Sequence, residues 1–449
     1  MGYRIKRLQD MAHGIRASKE LAARERWPRA RLEQFQQHCL EELSRFAAER
    51  SPFWRERLPS GGPVRLADLP VLTKPELMER FDDLVTDRRL HLDDLLEHLD
   101  EIDSDALYLG EHRVMTSSGS SGRKAVFVYD RAAWSGIVAM FLRRSEWTNT
   151  GPRFPRLRFA FIGGGSATHM SRRGAQTMDV WLHRLCALSV TQPLPELVAR
   201  LNAFQPQALY GYPSIMGLLA MEQLAGRLRL EPETVFTSSE PLSPALRERI
   251  EQAFGRRPYD FYATTEGLYG HECEEGSMHL FDDMCIAENV DDAYRPVPPG
   301  EVGARLLVTN LFNRTQPLIR FEVTDLAAVE PQPCPCGRSL LRLRSLEGRA
   351  EDVLTLGGVH VHPLQFALVT ADPDVREFQV VQQGEALRLR VALRDGAAEA
   401  PARLRARVGA RLEELGVPRP LVEVETVEAL ERSPAGKLQV VVAAPGPRA

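Results

Sequence analysis

The sequence predicts an α/β protein: a large N-terminal domain of layered α/β sheets with a β subdomain, then a small α+β C-terminal domain. Three observations carry that prediction. Apolar strands ending in small or polar residues recur ahead of helices, at 157–166, 208–214, 234–239 and 257–267, which is how a layered body gathers its loops on one edge of a sheet. After Asp291 the texture turns to β, in the runs 303–309 and 317–325. Beyond the charged segment 347–352 the chain alternates as strands around one Ala/Arg/Leu-rich helix, so 347–352 reads as a hinge between domains 1–346 and 353–449.

In chain order, residues 1–58 carry Leu32, Phe35, Leu40, Leu43, Phe46 and Ala47 at helical spacing, with Arg and Glu interleaved as a solvated face. From Val64 to Asp103 short helices start at Pro or Asp, as in Leu72-Thr73-Lys74-Pro75-Glu76. Asp130 is placed to cap a helix running to about Arg144. The strand 157–162 runs into Gly163-Gly164-Gly165-Ser166, where an open α/β sheet puts a ligand crevice. The stretch 208–214 opens a helix running to about Leu224, 234–239 leads to another at Pro244, and strand 257–262 ends in Ala263-Thr264-Thr265-Glu266-Gly267, with a further helix expected after it. The C-terminal part offers strands at 378–381, 387–391 and 421–427 and a helix at 401–415.

A chain of 449 residues exceeds what one core usually organises. A net charge of −4 gives no general attraction to nucleic acid or to an anionic membrane. No apolar run approaches the roughly 20 residues needed to span a bilayer, and the start MGYRIKRLQD lacks the apolar segment of a secretory signal. The expectation is a soluble, cytoplasmic protein, with a homodimer as the expected assembly. Six cysteines in so long a chain do not make a disulfide framework.

The stretch Thr116-Ser117-Ser118-Gly119-Ser120-Ser121-Gly122-Arg123-Lys124 lies between two apolar runs. Small residues let a backbone approach an anion, and hydroxyl and N–H groups supply donors, so a strand–loop–strand setting suits a polyphosphate. It is not a Walker A loop, which needs two glycines five apart followed by Lys and Ser or Thr. Ser/Gly tracts are also common as linkers, and the company this one keeps decides between the two readings.

Six stretches stand in one order: TSSGSSGRK (116–124), SSEPLS (238–243), FYATTEG (261–267), RFEVTD (320–325), EGRAEDV (347–353) and SPAGK (433–437). In that order they resemble the signature stretches of the adenylate-forming acyl-CoA ligases. The length and the CPCGR run at 334–338 make the chain most similar to the phenylacetate–CoA ligase branch, over roughly residues 50–440.

The resemblance implies an ATP- and Mg²⁺-dependent enzyme that joins a carboxylic acid to coenzyme A through an acyl-AMP. Carboxylate and α-phosphate repel, so such a site must neutralise charge before they meet. The resemblance places the β- and γ-phosphates on the loop of Thr116, Ser117, Ser118, Gly119, Ser120, Ser121, Gly122 and Lys124. Ser239, Glu240 and Pro241 would line the adenine and Tyr262 would stack on it. Thr265 would reach the α-phosphate, and Glu266 would hold Mg²⁺, a task for a carboxylate. Asp325 would accept the ribose hydroxyls, and Arg349 would contact nucleotide. Lys437 would bridge carboxylate and α-phosphate, carried in on a mobile C-terminal domain that pivots at Glu351, where the family usually shows Asp or Lys. Without the resemblance, Lys437 reads as a solvated lysine and Thr264 or Thr265 as a helix cap.

Cys273-x5-His279 and Cys334-x-Cys336 supply three thiols and an imidazole, a closed set suited to structural Zn²⁺. His271 competes as a ligand, and buried free thiols are the alternative. Some phenylacetate–CoA ligase relatives resemble this pattern.

By resemblance the acid lies behind the strand ends at Phe161, Gly163, Gly164, Ser166, Tyr210, Gly211, Tyr212, Ala263 and Thr264. Glycines leave room for a flat ring, the aromatic residues can wall it, and Ser166 and His169 can hydrogen-bond a ring substituent. A small aromatic acid such as anthranilate or another substituted benzoate leads, ahead of phenylacetate. The rivals are an enzyme loading a carrier protein and a nucleotide-binding sensor without turnover.

Overall fold

The computed structural model describes residues 2–59, 64–102, 106–117, 125–145, 147–180, 182–330, 332–349, 352–433 and 436–443. It is a mixed α/β protein that divides into two compact units: residues 1–157, 165–185 and 259–345 in one, and 158–164, 186–258 and 346–449 in the other. Among the described residues no helix is long and apolar enough to cross a membrane.

The first unit begins with helices Gly2–Arg24, Arg29–Arg50 and Pro52–Arg57. Leu32, Leu40, Leu43 and Ala47 point inward as their spacing requires, while Arg45 between them stays outside. The antiparallel hairpin Arg113–Thr116 and Val126–Tyr129 brackets the Ser/Gly loop. Asp130 then caps helix Arg131–Leu142, its carboxylate accepting from the Ala133 amide at 2.7 Å.

The strand Tyr259–Ala263 is followed by a second strand, Leu268–Glu272, and not by the expected helix. The Thr264 amide donates to the Gly267 carbonyl at 2.9 Å, so the antiparallel pairing of the two strands continues up to a tight connection and leaves no room for a helix. Strand Met278–Leu280 continues the antiparallel order, and Arg342 and Leu343 pair with it. A separate antiparallel sheet holds Cys285–Val290, Arg305–Asn310 and Phe321–Val323, the β texture expected after Asp291.

A buried charge cluster fastens this unit. Glu25 meets Arg143 at 2.9 Å, Arg144 at 3.2 Å and Arg338 at 2.6 Å, and Arg143 also meets Asp283 at 2.9 Å. Arg144 donates to the carbonyls of His271 and Glu272 at 2.7 and 2.8 Å, so the helical start of the chain is tied to the strand Leu268–Glu272. Burial pushes the Glu25 carboxyl up, and the three guanidinium groups outweigh it and hold the group below its usual range.

In the second unit, strands Arg158–Gly163, Ala208–Gly211 and Thr234–Ser238 run parallel and in register, with helices Pro213–Leu224 and Pro244–Phe254 following the last two. Their core includes Ile162, Leu209, Leu219, Val235 and Ile250. The chain beyond Leu354 forms a sheet in the order Leu421–Val427, Ala386–Leu393, Val375–Gln383, Val441–Val442, with helix Ala400–Glu414. Its core gathers Val380, Leu389, Leu404, Val408 and Leu412.

Glu25→Gln removes the shared counter-charge from three buried arginines. Stability is expected to fall by about 3–5 kcal/mol, read as a lower denaturation midpoint at pH 7. Because the folded-state carboxyl lies below its usual value of 4.5, the wild-type contribution is present above that pH and is lost as the pH falls below it.

Candidate active site

In the first unit the Ser/Gly loop leaves its hairpin through a closed neck. The Ser117 amide donates to the Ala125 carbonyl at 2.9 Å, and Ser117 Oγ accepts from the Ala125 amide at 2.9 Å. Thr116 pairs with Val126, and its amide donates to Thr168 O at 3.1 Å. Ser118, Gly119, Ser120, Ser121, Gly122 and Lys124 lie outside the described residues.

The turn at 264–267 is pinned from two further sides. Tyr129 Oη donates to the Thr265 carbonyl at 2.8 Å, and Asn310 Nδ2 donates to the Glu266 carbonyl at 3.3 Å. With the Thr265 and Glu266 carbonyls anchored, Ala263, Thr264, Thr265 and Glu266 stay partly exposed. The Tyr262 hydroxyl donates to Asp325 Oδ2 at 2.6 Å, so two residues 63 apart in sequence are brought together. Burial first, then the nearby Asp325 carboxylate, pushes the Tyr262 phenol well above its usual range; burial and then Glu266 do the same for Tyr129 and Tyr269. All three phenols therefore keep their protons beside these carboxylates. Ser166 Oγ and Thr168 Oγ1 are 2.9 Å apart, and His169 precedes helix Met170–Met178.

Also in this unit, Cys273, His279, Cys334 and Cys336 bring four donor atoms within 4.8 Å of one another. The Cys273 and Cys334 sulfurs are 3.7 Å apart, and Cys336 Sγ is 3.3 Å from His279 Nε2. Zn–S bonds of about 2.3 Å at a tetrahedral angle put sulfurs about 3.8 Å apart, so the donors fit that ion. His279 Nδ1 lies 3.1 Å from the Leu340 carbonyl, which turns Nε2 toward the thiols, and burial pulls the imidazole down to about 4, leaving it neutral. Burial pushes the Cys273 thiol up to about 12; at Cys334 burial is outweighed by hydrogen bonds from Cys336, Ser277 and Cys273, which lower it. His271, the competing candidate, is outside the set: its ring lies 4.1 Å from that of Phe261, and Nδ1 is 3.1 Å from Arg144 Nη1.

In the second unit Phe161 and Tyr210 stack with ring centroids 4.3 Å apart. Gly163 ends its strand, and the Gly164 amide donates to Tyr212 Oη at 3.0 Å. The room expected beside Gly211 is filled, because an added Cβ would come 2.9 Å from Met216 Sδ; this glycine serves the packing of its strand against the following helix. Ser239 holds a left-handed φ of 74°, and exposed Pro241 follows Glu240. Glu240 Oε2 accepts from the Ser214 amide and Oε1 from the Leu438 amide, each at 2.9 Å. Lys437 Nζ lies 5.9 Å from the Tyr212 ring centroid. Arg349 belongs to strand Arg342–Arg349, and Glu351 lies outside the described residues.

No family model matches the chain. A phenylacetate–coenzyme A ligase of Thermus thermophilus is 26% identical over 80% of this chain and 80% of its own length. The Escherichia coli phenylacetate–coenzyme A ligase is 28% identical, and the alignment spans 56% of this chain and only 58% of that protein, less than two thirds of it. Among solved structures, 2-hydroxyisobutyryl-CoA ligase in the postadenylation state, in complex with 2-HIB-AMP, superposes with a TM-score of 0.72 at 25% identity, covering 94% of this chain and 91% of that one. The chain thus resembles phenylacetate–coenzyme A ligases in sequence and 2-hydroxyisobutyryl-CoA ligase in fold.

Sequence reasoning missed the bracing side chains of Tyr129, Arg432 and Glu377. Tyr129 pins the turn at Thr265, while Arg432 donates to Ser214 Oγ at 2.9 Å and pairs with Glu377. Each contact spans 55 residues or more of sequence, so no local pattern announces it.

Gly270 sits opposite Leu280, where an added Cβ would come 2.5 Å from the His279 carbonyl oxygen. Gly270→Ala must push two paired strands apart. We expect a loss of about 1–3 kcal/mol, seen as a lower thermal midpoint.

Proposed function

We propose that the chain is an ATP-dependent ligase that joins a small aromatic carboxylic acid to CoA. The reading rests most on one observation: Lys437, in the SPAGK turn, is seated beside Tyr212 while Glu240 holds the next amide. In the first half-reaction a carboxylate oxygen attacks the α-phosphorus of ATP, and the bond to pyrophosphate breaks. Lys437 supplies positive charge between the two anions, and Thr265 donates to the α-phosphate. The Ser/Gly loop, closed at Ser117 and Ala125, cradles the departing phosphates with Lys124. Glu266 is the residue to hold Mg²⁺, which would neutralise phosphate charge. Tyr262 stacks on adenine while its hydroxyl fixes Asp325 for the ribose, with Ser239, the main chain of Glu240, Pro241 and Arg349 as further nucleotide contacts. In the second half-reaction the CoA sulfur attacks the acyl carbonyl and AMP leaves. The domain 353–449 moves between the two by pivoting in 347–352 at Glu351, away from 1–346.

The stacked pair Phe161 and Tyr210 supports a flat ring as substrate. Anthranilate or another substituted benzoate leads, with Ser166 and His169 for the substituent. Phenylacetate is the second reading, favoured by the curated relatives named for it. A carrier protein bearing the same thiol arm is the alternative acceptor. Cys273, His279, Cys334 and Cys336 hold a structural Zn²⁺ that joins the segments 273–279 and 334–336.

The test is a panel of benzoate, anthranilate, salicylate, phenylacetate and octanoate with ATP and Mg²⁺, with and without CoA, read by mass spectrometry. One aromatic acyl-CoA is expected. Acyl-AMP persisting in the presence of CoA would favour the carrier protein, and octanoyl-CoA alone would overturn the aromatic reading. Lys437→Ala is expected to lower acyl-AMP formation by at least about 100-fold, in the range of losing one charge-stabilising donor.

Elemental analysis of protein purified without added metal should give about one Zn per chain. Cys336→Ser should lose that metal and lower the thermal midpoint. Metal-free protein of unchanged midpoint would reject the site.

A further inference from the structure

We propose that Glu240 is a positioning residue that latches the SPAGK turn in place for adenylation; this rests on the reading of Lys437 given above. The carboxylate spends both oxygens on backbone donors. Oε2 takes the amide of Ser214, in the first turn of helix Pro213–Leu224, and Oε1 takes the amide of Leu438, the residue after Lys437. One side chain thus clamps two segments that lie more than 200 residues apart, through charge-assisted hydrogen bonds.

Neighbouring contacts serve the same end. Arg432 Nη1 donates to Ser214 Oγ at 2.9 Å and to the Gly436 carbonyl at 3.2 Å, and its Nη2 pairs with Glu377. Gly436 has a φ of 76°, and an added Cβ there would fall 1.9 Å from Val190 Cγ2, so the turn fits its seat only with glycine. Lys437 is the one residue held between these contacts and the Leu438 latch. Its long side chain reaches Tyr212 from a backbone fixed on both sides.

Glu240 therefore acts through Lys437, and it must let go whenever the C-terminal domain leaves. Opening breaks the hydrogen bond at Leu438 together with that from Arg432 to Ser214 Oγ, and leaves the Glu240 carboxylate on the helix amide.

The test is Glu240→Gln, which replaces one accepting oxygen by an NH₂ group that cannot accept. Hydrogen exchange of the segment 436–443, measured without any acid present, should speed up about tenfold, the loss of one charge-assisted bond. Gly436→Ala, which leaves Glu240 untouched, should do the same. With the acid that gives most acyl-AMP in the panel, Glu240→Gln should lower kcat for adenylation about tenfold with little change in KM for ATP. Thiolysis of the preformed acyl-adenylate should stay at the wild-type rate.

Unchanged exchange in Glu240→Gln, or an equal fall in both half-reactions, would overturn the latch. Lys437→Ala separates the two claims: it should keep slow exchange and lose adenylation. Retained adenylation there would overturn the role of Lys437, with the exchange result still deciding whether Glu240 holds the turn.

Discussion

Three buried arginines need a counter-charge, and Glu25 supplies it. An ion taken out of water is stable only where its partners are fixed, so the cluster sets where its neighbours must be. Arg143 draws in Asp283, Arg144 takes two carbonyls of the strand Leu268–Glu272, and Arg338 stands two residues after Cys336. The first helices, the hairpin that presents Thr265 and Glu266, and the Cys/His knuckle are thereby referred to one point. Position in this unit is set by charge as much as by apolar packing.

Much of the fold was legible. Asp130 caps its helix, the strands at 158–163, 208–211 and 234–238 run parallel ahead of helices, and the last strands and helix fall close to where their periodicity puts them. These features rest on interactions within a few residues, which a sequence records directly. The helix expected after Gly267 shows the limit. Thr264 and Thr265 read equally well as a helix cap, and what selects the turn is pairing with Leu268–Glu272, a choice made by the sheet.

The candidate site divides in the same way. The candidate residues come from motif order, and the structure brings together Cys273, His279, Cys334 and Cys336, which the spacing had paired. The supports of the candidate residues were not legible: Tyr262 on Asp325, Tyr129 on Thr265 and Glu240 on Leu438 each join stretches far apart in the chain. Gly211 shows the opposite error. A glycine beside a presumed pocket invites the reading of empty space, and the sulfur of Met216 already occupies it.

The three phenols around Glu266 and Asp325 have a consequence for how the hairpin responds to its surroundings. Each keeps its proton far into the alkaline range, so none adds an anion where a polyphosphate would have to arrive. The Tyr262 hydroxyl donates to Asp325 and the Tyr129 hydroxyl to the Thr265 carbonyl. The tyrosines thus act as insulation, holding the charge around Glu266 and Asp325 constant up to alkaline pH.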